Sequence, residues 1–134
     1  RLPKLTPHAY GRGEKNEDVK ISIEYLGSSI YNAEDSSSDV ATADATIVDI
    51  VDAWKSLPSE HVDLMKVNIE GGEFPLFERM IEADLLRNVK CFLIQFHEWH
   101  PGAYHRRGKI QSELRKTHRV VWDYHFIWEK WERK

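Results

Sequence analysis

The sequence contains little cysteine and no long apolar segment. Cys91 is the single cysteine among 134 residues, so no disulfide can form within the chain. It lies in an apolar run, where we expect a buried and unreactive thiol. No apolar stretch approaches the roughly 20 residues that a helix needs to cross a bilayer. We therefore expect no membrane segment in this chain, and a reducing, cytoplasmic compartment is favoured.

A surplus of basic residues is also missing. Lys and Arg together number 19 against 22 Asp and Glu, which gives a formal net charge of −3. A nucleic-acid surface requires a clear basic excess, so we expect no nucleic-acid partner. The composition, 41% hydrophobic and 31% charged, is that of a globular domain. No linker divides the chain, and we interpret residues 1–134 as one domain.

The first part of the chain combines an alternating segment, a polar loop and a helical pattern. Apolar residues alternate with polar ones from Val19 to Tyr25, which predicts a strand with one face in solvent. Residues 32–45 are small and polar and predict a flexible loop. Residues 46–57 carry apolar side chains at helical spacing, and Thr46 with Asp49 resembles a capping box at the start of a helix.

Strands and helices alternate in the rest of the chain. Residues 63–69 predict a largely buried strand, and Cys91–Phe96 predicts a central one. A helix is expected to begin near Glu73, and a further helix is expected at residues 109–116. The order of helices and strands predicts α/β layers around a mainly parallel sheet, with helices on both faces and antiparallel strands at its edges.

The end of the chain is rich in tryptophan. Apolar and aromatic residues alternate from Val120 to Glu129, which predicts one long strand with an aromatic face. Alternating aromatic residues on a terminal strand are more often core than partner surface, so we expect Trp122 and Trp128 in the core. The place of Trp131 stays open.

Polar residues follow both buried strands, and this is the best site argument from the residues themselves. Asn68 and Glu70 follow the first strand, and His97 and Glu98 follow the second. Ligands of open parallel sheets bind beyond the carboxyl ends of the strands. Because a helix connects the two strands, we expect them to be parallel and their ends to lie at one edge.

Simpler interpretations of these residues also stand. On spacing alone, Glu70-Gly71-Gly72-Glu73 is more typical of an ordinary strand-to-helix turn with a capping acid in the first helical turn. Lys66, inside the predicted buried strand, is expected to pair with Glu70 or Glu73 or to reach the end of the strand. A histidine that accepts a proton is favoured over a metal site formed by His97 and His100.

One segment resembles a family signature. Residues 62–73, with the sequence VDLMKVNIEGGE, resemble the signature of FkbM-type methyltransferases, which runs approximately D-L-L-K-x-D-x-E-G-A-E on the fourth strand of a Rossmann-like sheet. Asn68 and Gly72 replace the usual aspartate and alanine. Residues 8–13 and 28–30 are similar to upstream segments of the family, and residues 93–97 are similar to its fifth strand. The first strand and the glycine-rich cofactor loop are missing, so we expect the chain to be the later part of a partial Rossmann-like methyltransferase domain.

The resemblance implies a function and a cofactor. It implies transfer of a methyl group from S-adenosylmethionine to a hydroxyl of a small molecule or glycan. The catalytic residues that it implies are His97, Glu70, Asn68 and Lys66. Either His97 or Glu70 would be the general base. The residues that it implies for cofactor binding are Tyr10, Gly11, Asn68 and Gly71. Those that it implies for binding of the acceptor are Glu73 and Glu98.

A second hypothesis comes from another class of protein. The chain would then be a non-catalytic remnant that binds or assembles through a sheet edge left open by absent strands. A homodimer is one form that such an assembly would take.

Overall fold

The structure is a computed structural model that describes residues 5–23, 30–31 and 41–134. In this part of the chain, seven strands form two small sheets, accompanied by three α-helices and a short 3₁₀ turn at Leu86–Asn88. The predicted mixed α/β class is therefore confirmed. Each sheet is mixed and contains one parallel pair, so the observed layers are two small sheets rather than one mainly parallel sheet.

The first sheet is formed by β1 (Gly11–Gly13), β2 (Glu17–Ser22) and β3 (Thr42–Asp49), in the order β1-β3-β2. β1 is parallel to β3, whereas β2 is antiparallel to it. The predicted strand from Val19 is confirmed through Ser22, while Tyr25 lies outside the described residues. The predicted loop is wrong for residues 42–45, because the backbone of this segment pairs with β2, and residues 32–40 lie outside the described residues.

The first helix, α1, spans Ile50–Lys55 and is shorter than predicted. Residues 46–48 continue β3 instead, since the β-branched sequence Thr46-Ile47-Val48 favours a strand. Asp49 is the N-cap itself, and its carboxylate accepts a hydrogen bond from the Val51 N–H at 2.8 Å. The predicted capping box beginning at Thr46 is therefore wrong by one helical turn.

The second sheet is formed by β4 (Val62–Val67), β5 (Val89–Ile94), β6 (His118–Tyr124) and β7 (Trp128–Arg133), in the order β4-β5-β7-β6. β4 and β5 are parallel, and Val67 lies opposite Ile94. β7 is antiparallel to both β5 and β6, so β4, β5 and β6 run in the same direction. Helix α2 (Glu73–Glu82) connects the parallel pair, as predicted.

β4 forms one edge of this sheet in the described part of the chain. The prediction of a largely buried strand is wrong for β4, because Leu64 is 55% exposed and Lys66 is also exposed. β5 is the interior strand, as predicted, with Phe92 and Ile94 fully buried.

The final strand of the prediction is a hairpin. β6 ends at Tyr124 and β7 begins at Trp128, and the Ile127 N–H donates to the Tyr124 carbonyl at 2.7 Å across the turn. Trp131 on β7 is fully buried, whereas Trp122 and Trp128 are half-buried. Of these three tryptophans, the one fully in the core is thus Trp131, whose place the sequence left open, and the expectation for Trp122 and Trp128 is wrong.

Helix α3 (Ala103–Thr117) is longer than predicted and rests on this hairpin through a buried polar cluster. The Arg107 guanidinium donates to Glu129 at 3.0 Å and to Asp123 at 2.6 Å, and the Gln111 amide bridges the same two carboxylates. The indole N–H of Trp131 also donates to Glu129. Buried charges are tolerated where they are paired and hydrogen-bonded, as here. None of the described helices combines the length and the apolar character needed to span a bilayer.

Replacement of Phe77 tests the core between α2 and β5. The Phe77 ring is fully buried, 5.4 Å from the Phe92 ring and 5.9 Å from the Phe96 ring. We expect Phe77→Ala to lower the free energy of unfolding by about 3–5 kcal/mol, because it removes buried apolar contacts and leaves a cavity. Leu64→Ala, at an exposed position of β4, should change it by about 0.5 kcal/mol or less. Urea unfolding followed by circular dichroism measures both, and equal losses would contradict the core assignment.

A second prediction concerns His118, which is fully buried. Burial lowers the pKa of His118 from 6.5, the hydrogen bond to the Val89 carbonyl acts in the opposite direction, and Arg133 lowers the pKa further. The unfolded chain therefore takes up a proton at a pH where folded His118 stays neutral. The contribution of neutral, buried His118 to the free energy of unfolding is fully present above the unfolded pKa. It is lost as the pH falls from the unfolded pKa through the lower folded pKa.

We expect the free energy of unfolding to fall more steeply for the native chain than for His118→Gln between about pH 7.5 and pH 5.5, with a difference in slope of at most about 1.4 kcal/mol per pH unit. The glutamine keeps an N–H donor for the Val89 carbonyl. Parallel pH profiles of the two proteins, measured by urea unfolding, would show that His118 makes no such contribution.

Candidate functional site

The carboxyl ends of β4 and β5 lie side by side. The Gln95 N–H donates to the Val67 carbonyl at 3.0 Å, which extends the parallel pairing by one residue beyond β5. The segments after the two strands therefore begin at the same edge of the sheet. This juxtaposition is the one expected from the helix that connects the strands.

Glu73, in the first turn of α2, joins these two segments. Its side chain is fully buried. One carboxylate oxygen, Oε1, accepts hydrogen bonds from the His97 backbone N–H and from His97 Nδ1, both at 2.7 Å. The other oxygen, Oε2, accepts from the Gly71 N–H at 3.0 Å. Because all of its surface is enclosed, Glu73 does not offer the acceptor contact that was expected of it, and its role is to position its neighbours.

His97 lies between two carboxylates. Its Nδ1 contacts Glu73, and its Nε2 lies 3.3 Å from Oε1 of Glu70. Both carboxylates only accept hydrogen bonds, and the shorter contact, at Nδ1, assigns the proton of a neutral ring to Nδ1. Nε2 then faces Glu70, with which it would share a second proton. His97 is 9% exposed, whereas the Glu70 side chain is 27% exposed. Glu70 is therefore the member of this group that a ligand reaches first.

The turn that carries Glu70 has an uncommon backbone. Glu70 has φ 50° and Gly71 has φ 96°. Residues other than glycine rarely adopt a φ like that of Gly71. A Cβ atom at Gly71 would lie 2.9 Å from the Trp99 ring and 3.0 Å from the His100 ring. Backbone strain of this kind persists where surrounding contacts fix it, and it is frequent at functional sites.

Aromatic rings and a cation surround the turn. The Tyr31 ring packs edge-on against both Trp99 and His100, with centroids 6.2 and 5.3 Å apart. Burial raises the pKa of Tyr31, and the Arg106 guanidinium opposes that effect. Arg106 is itself paired with Glu78 and lies over the Phe74 ring. These contacts were not predicted, because no short sequence pattern links residues so far apart.

A cleft lies between the two sheets and reaches this turn. The inter-sheet cleft has a volume of about 460 Å³, and its lining residues include Gly11, Glu14, Glu17, Tyr31, Asn68 and Glu70. Three of the expected site residues, Gly11, Asn68 and Glu70, thus share one cleft. The structure brings Glu70 both to the wall of the cleft and to His97, so the Glu70–His97 contact lies at the edge of the cleft.

The remaining expected site residues lie elsewhere. Lys66 is exposed, with its Nζ 5.1 Å from the centre of the Trp128 ring, and in the described residues it makes no ion pair with Glu70 or Glu73. The expected pairing is therefore wrong, because Lys66 lies on an edge strand in contact with solvent. Tyr10 stacks on His8 and lines a neighbouring cleft. Glu98 is exposed and accepts a hydrogen bond from the Tyr104 hydroxyl at 2.6 Å, which raises the pKa of Tyr104.

Metal ligation was the less favoured interpretation of the histidines. Nδ1 of His100 lies 3.0 Å from the Pro101 carbonyl and 3.4 Å from Nη1 of Arg106, and His97 contacts two glutamates. Across the described residues, no group of three or more His, Cys, Asp or Glu side chains has the geometry to hold a metal ion.

Comparisons with known proteins give no relative. No protein-family model matches the chain, and no curated protein and no solved structure shows significant similarity to it. Interpretation of the site therefore depends on its geometry.

A pair of glycine replacements tests the tight turn at Gly71. We expect Gly71→Ala to destabilise the chain by more than about 1 kcal/mol, because a side chain disfavours the positive φ and a Cβ meets the Trp99 and His100 rings. Gly108 lies within α3 with nothing within 4 Å of an added Cβ. Gly108→Ala should instead stabilise the chain by about 0.5–1 kcal/mol, the helix preference of alanine over glycine. Chemical unfolding of both variants measures the contrast, and a neutral or stabilising Gly71→Ala would contradict the described turn.

Proposed function

We propose that the chain belongs to an S-adenosylmethionine-dependent methyltransferase of partial Rossmann-like fold, which methylates a hydroxyl of a small molecule or glycan. The observation that carries the proposal is the Glu73–His97–Glu70 contact series at the carboxyl ends of two parallel strands. Ligands of open α/β sheets bind at such an edge. The resemblance of residues 62–73 to the FkbM-type signature supplies the class of reaction.

The strand order supports the fold part of the proposal. Three of the four strands of the second sheet run in the same direction, and α2 makes the crossover between β4 and β5. A Rossmann-like sheet would continue from the edge that β4 forms in the described part of the chain.

The inter-sheet cleft fits a cofactor that carries a positive charge and an aromatic base. Its lining includes the carboxylates of Glu14, Glu17 and Glu70 and two cations, Arg12 and Lys15. Lys15 is paired with Glu17 at 3.0 Å, which leaves two carboxylates against the one cation Arg12. Carboxylates and aromatic faces such as that of Tyr31 attract organic cations. S-adenosylmethionine bound there would supply an electrophilic methyl group on a sulfonium.

Glu70 and His97 would act on the acceptor hydroxyl. A hydroxyl at the mouth of the cleft would donate its hydrogen bond to Glu70, the more exposed of the pair. As the oxygen becomes methylated, its proton would pass to Glu70 or onward to Nε2 of His97. Glu73 would hold Nδ1 protonated and stabilise a positive imidazole, in the way that a buried carboxylate orients a catalytic histidine. Asn68, in the same cleft wall, would orient the acceptor or the cofactor.

A non-catalytic binding or assembly module is the second candidate, and one observation favours it. β4 is paired on one side only within the described residues, and it exposes Leu64 at this edge. Strand edges of this kind pair with strands of other chains, including a second copy in a homodimer. This candidate requires no affinity for S-adenosylmethionine.

Calorimetric titration with S-adenosylmethionine separates the two candidates. The methyltransferase proposal predicts saturable binding, whereas a non-catalytic module predicts none. Transfer of labelled methyl groups to a panel of alcohols and sugars then tests the reaction. We expect Glu70→Gln and His97→Gln to lower the transfer rate by about 10²–10⁴-fold, the usual contribution of a general base.

Glu82→Gln is the matched control for these variants. Glu82 is an exposed carboxylate on the same helix as Glu73, and its partner Arg79 retains Asp49. Its replacement should leave the rate of methyl transfer unchanged. Absence of cofactor binding by the native chain would remove the enzymatic proposal, and full activity of both Glu70→Gln and His97→Gln would remove the assigned roles.

A further inference from the structure

A second cleft adjoins the first and has different chemistry. The β4 cleft has a volume of about 440 Å³, and its lining residues include His8, Tyr10, Arg12, Trp54, Leu64 and Lys66. Arg12 lines both clefts and marks their boundary. Neither Glu70 nor His97 belongs to the lining of the β4 cleft, so the two sites are separable.

Charge distinguishes the β4 cleft from the rest of the chain. Acidic residues outnumber basic ones by 22 to 19 in the sequence, yet no described lining residue of this cleft is acidic. Two permanent cations, Arg12 and Lys66, line it together with His8. The local charge is therefore opposite in sign to the net charge of −3.

Arg12 has no carboxylate partner among the described residues; Arg115 and Arg133 also lack one, but Arg115 lies over the Trp131 ring and Arg133 donates to the Arg87 carbonyl. Ion pairs with aspartate or glutamate are made by Arg79, Arg87, Arg106, Arg107 and Arg119. Within the described residues, the half-buried Arg12 makes no ion pair or side-chain hydrogen bond. It is also the one side chain that β1 presents, since Gly11 and Gly13 flank it. Withdrawing a guanidinium from water without a partner is costly, and an anionic ligand would offset that cost.

The remaining wall of the cleft is apolar. Trp54 and Leu57 contribute from the region of α1, Leu64 and Met65 from β4, and Leu76 from α2. Ligand sites are typically apolar cavities of this size with a few polar groups that fix orientation. The combination favours a ligand with an apolar body and one anionic end.

We propose that the β4 cleft binds an apolar small molecule that carries a single anionic group, such as a medium-chain or aromatic acid. Arg12 pairs with the anionic group in a two-pronged contact, and Lys66 supplies the second positive charge. The apolar body lies against Trp54, Leu57 and Leu76. This site shares Arg12 with the lining of the inter-sheet cleft, but it uses none of the residues assigned to the proton transfer of the proposed reaction.

Paired probes that differ only in charge test the proposal. The apolar sulfonate 8-anilinonaphthalene-1-sulfonate and its uncharged counterpart N-phenyl-1-naphthylamine are titrated against the native chain by fluorescence. We expect the sulfonate to bind more tightly, with an affinity that falls as salt is raised. Decanoate should displace the sulfonate, and decanol at equal concentration should do so at least tenfold less well, about 1.4 kcal/mol.

Arginine and lysine variants locate the site. We expect Arg12→Gln to weaken sulfonate binding at least tenfold and Lys66→Gln to weaken it several-fold, while both leave the affinity for N-phenyl-1-naphthylamine unchanged. Arg119→Gln is the matched control, because Arg119 lies on β6 and is paired with Glu132 at 3.2 Å. His97→Gln should also retain native affinity, which keeps this test apart from that of the methyl transfer.

Three results would overturn the assignment. One is native sulfonate affinity in both Arg12→Gln and Lys66→Gln, with circular dichroism that shows folded protein. Another is an equal loss of affinity for the charged and the uncharged probe, which would indicate a general apolar surface. Equal displacement by decanoate and decanol would equally exclude recognition of the anionic group.

Discussion

The buried carboxylate of Glu73 is the interaction on which the organisation of this protein depends. It accepts hydrogen bonds from the backbone of the turn after β4 and from both the backbone and the ring of His97 after β5. A single side chain thereby satisfies donors from two separate segments and fixes their relative position. These three N–H groups share the Glu73 carboxylate as their acceptor. Each would cost about 1–3 kcal/mol if it were buried without a hydrogen bond. Glu73 also determines which nitrogen of His97 faces Glu70.

Two polar clusters lie at the same edge of the second sheet, since Glu129 pairs with Ile94 at the end of β5. Around Glu73, hydrogen bonds connect α2 with the ends of the parallel strands. Around Arg107, guanidinium and amide donors connect α3 with the β6–β7 hairpin through Asp123 and Glu129. Phe77 of α2 and Phe92 of β5 belong to the apolar core, where their rings are in contact. The site is thus supported by rigid elements, while Glu70 and the two clefts lie at its accessible edge.

Sequence patterns predicted the parts of the fold that depend on local periodicity. The interior strand β5, the start of α2 at Glu73 and the parallel β4–β5 pair all follow from apolar spacing and connection length. The hairpin was missed because alternation continues through Phe126, and no glycine, proline or asparagine marks the turn. The start of α1 was misplaced because Ile47 fits both a helical and a strand pattern, and pairing with β1 decides for the strand. Contacts such as Arg107 with Asp123 join residues far apart in the chain and leave no local pattern.

Nitrogen NMR of the His97 ring tests the central claim most directly. Long-range ¹H–¹⁵N correlation spectra distinguish a protonated from an unprotonated ring nitrogen at each position. Our account predicts that Nδ1 of His97 carries a proton, donated to Glu73, and that Glu73→Ala abolishes this preference. A native spectrum with an unprotonated Nδ1 and a protonated Nε2 would contradict the arrangement of Glu73, His97 and Glu70 on which the proposed chemistry depends.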